Sequence, residues 1–254
     1  MDDFFVLKIY RGESGHQYFE EFQLKRRPFL NVISALMEIQ KHPVNLKGEK
    51  VHPIVWEQGC LEEVCGSCSM LINGRPRQSC TALIDDMLKQ SGTNVVTLAP
   101  MTKFPLVRDL VVNREKMFSN LKKVEAWIDA DDSQGRTFDI PIAPDLEDTR
   151  YVLSTCMTCG VCSEGCPQVS EKSTFMGPAA VSQVRLFNAH PIGTMNRKAR
   201  LDAMLGEGGI SECGNAQNCV QVCPKKIPLT ESIAVIGRQA TVQAWKNMIH
   251  LADT

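Results

Sequence analysis

The pattern of apolar and polar positions gives the two ends of the chain different characters. Up to about Thr97 the apolar residues come in short runs bounded by turn formers, as strands do: FFVLKIYR from Phe4, QYFEEFQL from Gln17 and NVVTLA from Asn94. Asn73-Gly74 reads as a two-residue hairpin turn, because both residues tolerate the positive φ that such turns require. Among these runs, LNVISALMEIQKH repeats its apolar residues at helical spacing, through Val32, Ile33, Leu36, Met37 and Ile39. The pattern predicts one helix packed on a small sheet, with that stripe in the core.

From Pro100 to Pro144 the punctuation changes. Pro100, Pro105, Pro141 and Pro144 surround the polar stretch DADDSQGRTFD, which reads as an extended connector passing over both halves. Beyond Asp145 strand signals fade. AAVSQVRLFNAH and TESIAVIGRQATVQAWKNMIHL carry apolar residues three and four apart, and Thr230 with Glu231 suits a helix N-terminus. The expected organisation is α+β: a sheet domain over 1–103, a connector over 104–145 and a helical domain over 146–254.

Composition narrows the function classes. The chain has 254 residues, a formal net charge of −1, 43% hydrophobic and 22% charged residues. That balance offers no electrostatic reason for a nucleic-acid partner, and Lys25-Arg26-Arg27 reads as solvated surface. No apolar run approaches the ~18 residues that a membrane span needs. MDDFFVLKIYRG opens with two acids and reads as a strand, not as a secretory signal, so a reducing compartment is expected. Disulfides are rare there, and eleven cysteines require another explanation.

The cysteines fall into three groups with none left over. Cys60, Cys65, Cys68 and Cys80 form C-x4-C-x2-C-x11-C, the plant-type ferredoxin spacing, which points to a [2Fe–2S] cluster. Small residues around Cys65 and Cys68 let backbone N–H groups approach the sulfurs. Cys156, Cys159, Cys162 and Cys166 form C-x2-C-x2-C-x3-C before Pro167, the bacterial ferredoxin run. Cys213, Cys219 and Cys223 form C-x5-C-x3-C before Pro224; when the two runs are superimposed, Ala216 falls where Cys159 stands.

In the bacterial run the fourth cysteine ligates the other cluster of the pair. Applied here, Cys156, Cys159, Cys162 and Cys223 hold a [4Fe–4S] cluster. Cys166, Cys213 and Cys219 are left with three thiolates, and Ala216 has no donor atom, so the inferred occupant is a [3Fe–4S] cluster. Two alternatives stay open at this point: zinc, which favours four ligands per site and fits eleven cysteines poorly, and a four-iron third centre with water or another ligand at the open corner. The expected fold is thus a β-grasp plant-type ferredoxin domain followed by a helical bacterial-ferredoxin-like domain holding two clusters. Three centres on one chain, with no Gly-rich dinucleotide fingerprint and no haem-attachment motif, describe an electron relay whose donor and acceptor sit on other chains.

CLEEVCGSCSMLINGRPRQSC, CMTCGVCSEGCP, FMGPAAVSQVRLFNAHP and CGNAQNCVQVCPKKIP, in this order, resemble the iron–sulfur subunit of succinate dehydrogenase and fumarate reductase over essentially the whole chain. LNVISALMEIQKHPVNLKGEK looks most like the menaquinone-type bacterial branch. The resemblance implies a partner flavoprotein with FAD that oxidises succinate. It also implies electron flow through the two-, four- and three-iron centres in turn, and a cytochrome b anchor (dihaem in that branch) where menaquinone is reduced. The chain would then lie peripherally on the cytoplasmic face of the bacterial membrane. Fumarate reduction by the same relay is the alternative direction. A free-standing soluble ferredoxin and the iron–sulfur subunit of another flavoenzyme are the competing classes. Pro167 matches a family position near the quinone. Gly214 stands where ubiquinone-reducing members carry histidine, and PQVSEKS lacks their tryptophan.

Overall fold

Strand β1, Phe4–Glu13, buries every second side chain, namely Phe5, Leu7, Ile9 and Arg11. This is the period-two rule of a pleated strand with one face in a core. The structure is a computed structural model that describes residues 3–129 and 141–252. It divides into two compact units, Met1–Arg114 with Cys159–Glu164, and Glu115–Thr158 with Gly165–Thr254.

In the first unit β1 pairs antiparallel with β2, His16–Lys25, and parallel with β5, Val95–Ala99. The hairpin of β3, Ser69–Ile72, and β4, Arg75–Gln78, completes a five-stranded sheet of order β2-β1-β5-β3-β4. Its turn is Asn73-Gly74, with φ of 49° and 74° as the sequence requires. Helix α1, Val32–Lys41, begins at Asn31, whose side chain accepts from Ser34 N at 2.8 Å. Val32, Ile33, Leu36 and Ile39 are buried as expected. Met37 is not: it is 39% exposed, and Ala35 takes the core position. Buried apolar side chains of this kind contribute about 1.5–3 kcal/mol each. Helix α2, Ile84–Ser91, which the sequence reading missed, adds Ile84, Met87 and Leu88 to the same core and ends on Gly92 at φ 66°.

The 104–145 segment is not uniformly extended. It contains a small ribbon, β6 at Leu106–Arg108 and β7 at Val111–Val112, and helix α3, Glu115–Lys123. Met117 and Val124 bury on the helical side, which an extended chain could not achieve. Most of DADDSQGRTFD lies outside the described residues.

Arg11 continues the inward row of β1, so a guanidinium occupies the end of an apolar stripe. It pairs with Glu20 and Asp109, and it donates to the carbonyl of His52. Asp109 also accepts from Gly12 N at 2.8 Å and Val55 N at 2.9 Å, which ties the ribbon to β1 and to the segment that leads into the first cysteine loop. Removing the carboxylate leaves two amides without that acceptor and a buried guanidinium with Glu20 as its remaining counter-charge. Asp109→Ala is expected to cost about 3–5 kcal/mol. The readout is the urea midpoint for loss of the visible absorbance. Asp109→Asn keeps the left-handed φ of 48° accessible and should cost less.

The described part of the second unit is helical. α6, Pro178–Ala189, is buried on nearly every side and packs against α4, Pro144–Ser154, α7, Arg197–Leu205, and α9, Leu229–Ala252. Ala179 and Ala180 allow close approach, and Val181, Val184, Met204 and Ile236 form the core. Arg200 is wholly buried and makes no ion pair among the described residues. It is satisfied by the carbonyls of Glu125 at 2.9 Å, Trp127 at 2.7 Å and Gly193 at 2.5 Å, and its guanidinium lies over the Phe187 ring. Burial lowers its pKa below the usual arginine value.

Candidate functional site

All eleven cysteines lie among the described residues, and no disulfide joins any of them. In the first unit Cys60, Cys65, Cys68 and Cys80 come together. Cys60 N donates to Cys65 Sγ at 3.4 Å, and Cys65 N returns a bond to Cys60 Sγ at 3.3 Å. Glu62 N and Val64 N add bonds to Cys60 Sγ at 3.3 and 3.2 Å. The loop reaches this geometry by placing Leu61, Glu63 and Gly66 at φ of 62°, 56° and 74°. Two of those are side-chain-bearing residues in a region that disfavours them, so the loop holds strain in return for amides aimed at sulfur. Gly59 leaves room for the sulfur, since a Cβ there would stand 3.0 Å from Cys65 Sγ.

The electrostatics of the four thiols diverge. Cys65 is drawn down to about 6, chiefly by the Ser67 side-chain hydrogen bond and then by the amides of Cys60 and Ser67. Cys80 is pushed up to about 12 by burial and by its neighbour Cys68. Four sulfurs this close cannot all ionise unless cations join them, and thiolates are what iron binds. The donor set therefore fits a cluster. Beneath it runs a polar network that the sequence reading did not identify. Cys68 Sγ donates to Gln78 Oε1 at 3.3 Å, and Gln78 Nε2 donates to Ser69 Oγ at 2.8 Å. Ser69 Oγ then donates to the Gly66 carbonyl at 3.0 Å, while Ser79 Oγ holds the Cys68 carbonyl at 2.9 Å.

In the second unit Cys166, Cys213 and Cys219 line one small cavity with Pro167, Gln168, Phe175, Ala216 and Ile233. Cys213 follows a 3-10 turn, Ile210–Glu212, that Glu212 braces by accepting from Thr174 Oγ1 and Gly208 N. Asn215 and Gln217 take φ of 51° and 62°, which wraps the chain around Ala216 before α8, Asn218–Val222. Cys219 is buried and its pKa is raised, first by burial and then by the charges of Cys166 and Cys213. These three thiols fit a cluster as the first four do. A Cβ at Gly214 would meet the terminal amide of the Gln168 side chain, which brings the two later cysteine runs side by side at this point.

The remaining four cysteines divide between the units. Cys159 and Cys162 belong to the first, where Cys162 sits on α5, Val161–Glu164. Gly160 takes φ 84° there, and a Cβ would stand 3.0 Å from the Phe104 ring. The buried Glu164 carboxylate accepts from Thr102 N at 2.9 Å, Thr102 Oγ1 at 2.7 Å and Lys103 N at 2.9 Å. Cys156 and Cys223 belong to the second unit. Cys156 follows α4, and Cys223 follows α8 with its Sγ accepting from Ile227 N at 3.5 Å. Among the described residues no three His, Cys, Asp or Glu side chains are placed to hold a single metal ion. A cluster asks for no such triplet, since one iron takes at most two thiolates in a [2Fe–2S] cluster and one in a cubane-type cluster.

Comparison with known proteins identifies the family. A family profile described as a 2Fe-2S iron-sulfur cluster binding domain matches residues 6–119, and one described as a 4Fe-4S dicluster domain matches residues 152–227. The succinate dehydrogenase iron-sulfur subunit of Bacillus subtilis is 58% identical over 234 residues, 91% of this chain and 89% of that one. The fumarate reductase iron-sulfur subunit of Wolinella succinogenes is 28% identical over 225 residues, 87% of this chain and 89% of that one. A chain of the Mycobacterium smegmatis Sdh1 complex in the apo form shares the fold, with a TM-score of 0.80, 20% identity and coverage of 96% of this chain and 98% of that one. Eleven cysteines in three spaced groups, both cluster-domain profiles and the Bacillus similarity over 91% of this chain converge: the chain belongs to the iron–sulfur subunits of succinate dehydrogenase and fumarate reductase.

Proposed function

We propose that the eleven thiols divide four, four and three, with the two later runs exchanging a ligand. Cys60, Cys65, Cys68 and Cys80 hold the [2Fe–2S] cluster. Cys156, Cys159, Cys162 and Cys223 hold the [4Fe–4S] cluster, and Cys166, Cys213 and Cys219 the [3Fe–4S] cluster. The observation that carries this reading is the cavity in which Cys166 of the earlier run meets Cys213 and Cys219 of the later one, with Ala216 on the same wall.

The chain is the electron-relaying subunit of a succinate dehydrogenase, and the clusters supply its one-electron stations between a flavoprotein and a membrane anchor. Its own residues aim amides at sulfur, hold the cysteine loops rigid and exclude bulk water from Cys68, Cys80, Cys159 and Cys219. No helix among the described residues is long and apolar enough to cross a membrane, so attachment falls to the anchor. The finer assignment is a dihaem cytochrome b anchor, menaquinone as acceptor, and a peripheral position on the cytoplasmic face. Pro167, on the wall of the three-thiol cavity, is the residue proposed to lie near the quinone. The proposed division of labour is a two-iron domain over 1–103, a connector over 104–145 and a dicluster domain over 146–254, with Cys159–Glu164 packed in the first unit.

Iron and acid-labile sulfide analysis of the loaded complex tests the ligand division. The clusters named above require nine irons and ten sulfides per chain. Stoichiometric zinc, or a single kind of centre, would overturn it. Reduction of a menaquinone analogue in preference to a ubiquinone analogue checks the acceptor.

A further inference from the structure

Arg114 closes the first unit, and its side chain is 12% exposed. Its guanidinium donates to the carbonyls of Gly66 at 2.9 Å and Ser67 at 3.2 Å, inside the loop between Cys65 and Cys68. A longer bond, at 3.5 Å, reaches the carbonyl of Cys159. Glu57 pairs with it from the chain that leads into Cys60. One cation therefore touches the two-iron loop and the first four-iron cysteine of the same unit. Only the planar five-donor fork of arginine can hold three carbonyls and a carboxylate at once.

The placement also has an electrostatic consequence. The peptide between Gly66 and Ser67 turns its carbonyl to Arg114 and its N–H to Cys65 Sγ. A cation on the carbonyl end polarises that peptide and strengthens the N–H···S bond. Reduction adds one negative charge to the sulfur-rich site, and a poorly screened guanidinium favours the state that carries it.

We propose that Arg114 is a positioning residue that fixes the Cys65–Cys68 loop against the Cys159 turn and raises the reduction potential of the two-iron site, with Glu57 opposing it. This inference rests on the ligand division proposed above. Neither residue ligates iron. Glu57 sets the balance because its carboxylate is 43% exposed and partly offsets the guanidinium.

The test is a potentiometric titration of the two-iron electron paramagnetic resonance signal in the assembled complex. Arg114→Gln should cut the reduced-to-oxidised ratio at a fixed potential by roughly tenfold, a fall of about 59 mV for a one-electron couple. Arg114→Lys, which keeps the charge and loses the fork, should recover part of that loss. Glu57→Gln should shift the midpoint the opposite way, upward, and this surface change decides the matter if Arg114→Gln fails to assemble. Equal midpoints in unaltered protein and variants, or shifts of one sign for Gln at 114 and at 57, would leave Arg114 as a strut only and overturn the proposal. Absence of any two-iron signal in unaltered protein would instead refute the ligand division.

Discussion

Ala216→Cys is expected to convert the three-iron centre into a four-iron one and to remove the three-iron signal from most of the oxidised protein. Ala216 is exposed and lines the cavity that Cys166, Cys213 and Cys219 share. Its neighbours Asn215 and Gln217 carry the left-handed turns, while 216 itself has an ordinary φ, so a cysteine fits without backbone strain. The present site has three donors for four corners. A thiolate at 216 supplies the fourth, and an added iron completes the cube. The added iron offsets the charge of the added thiolate, and the change of cluster type is what lowers the potential. Electron paramagnetic resonance of the oxidised complex checks the loss, and redox titration checks the potential. An unchanged three-iron signal would mean that residue 216 does not face the cluster. Conversion would also remove the reading in which the wild-type site already holds four irons with water at one corner.

How much of this was legible in the chain depends on how local its cause is. The three strands expected from short apolar runs form where they were read, because alternation is imposed by the pleat itself. The Asn73-Gly74 hairpin followed from two residues alone. Helix α1 is read correctly in extent and wrongly at Met37, because the buried face is as wide as the expected stripe but rotated toward Ala35. Helix α3 was hidden by the prolines around it, although Met117, Leu121 and Val124 sit at helical spacing. Helix α2 is short, and its apolar residues follow directly on the last cysteine of the first group.

The charged residues that brace the site were not legible, for a different reason. Arg11 meets Asp109 across 98 positions, and Arg114 meets Gly66 across 48. Nothing in either neighbourhood distinguishes a buried guanidinium from a solvated one. The same holds for Arg200, whose partners are backbone carbonyls and carry no sequence signal. Gln78, Ser69 and Ser79 look like ordinary strand polar residues until the fold turns them beneath the Cys68 loop. The cysteines stood out because cluster chemistry imposes spacing directly on the chain. Their supports did not, because tertiary packing imposes none.

Cys223→Ala is expected to abolish the four-iron signal while most of the three-iron signal survives. Cys219, on α8, and Cys223, just after it, lie four residues apart and have different surroundings. Cys219 is buried on the wall of the three-thiol cavity, whereas Cys223 comes after the helix, outside that wall, with its sulfur toward Ile227 N. If each run served its own cluster, Cys213, Cys219 and Cys223 would act together, and the substitution would destroy the three-iron centre first. Exchange between the runs predicts the opposite order of loss. The paired variant is Cys166→Ala, which should remove the three-iron signal and spare the four-iron one. Because losing a cluster removes part of what stabilises its own surroundings, each variant carries the other as its control: both would have to lose both signals for general unfolding to account for the result. Succinate-dependent quinone reduction should fall to near zero in either case, since an electron relay fails at any missing station, so the two spectra discriminate where the activity does not. Loss of the three-iron signal in Cys223→Ala with the four-iron signal intact would reverse the ligand exchange.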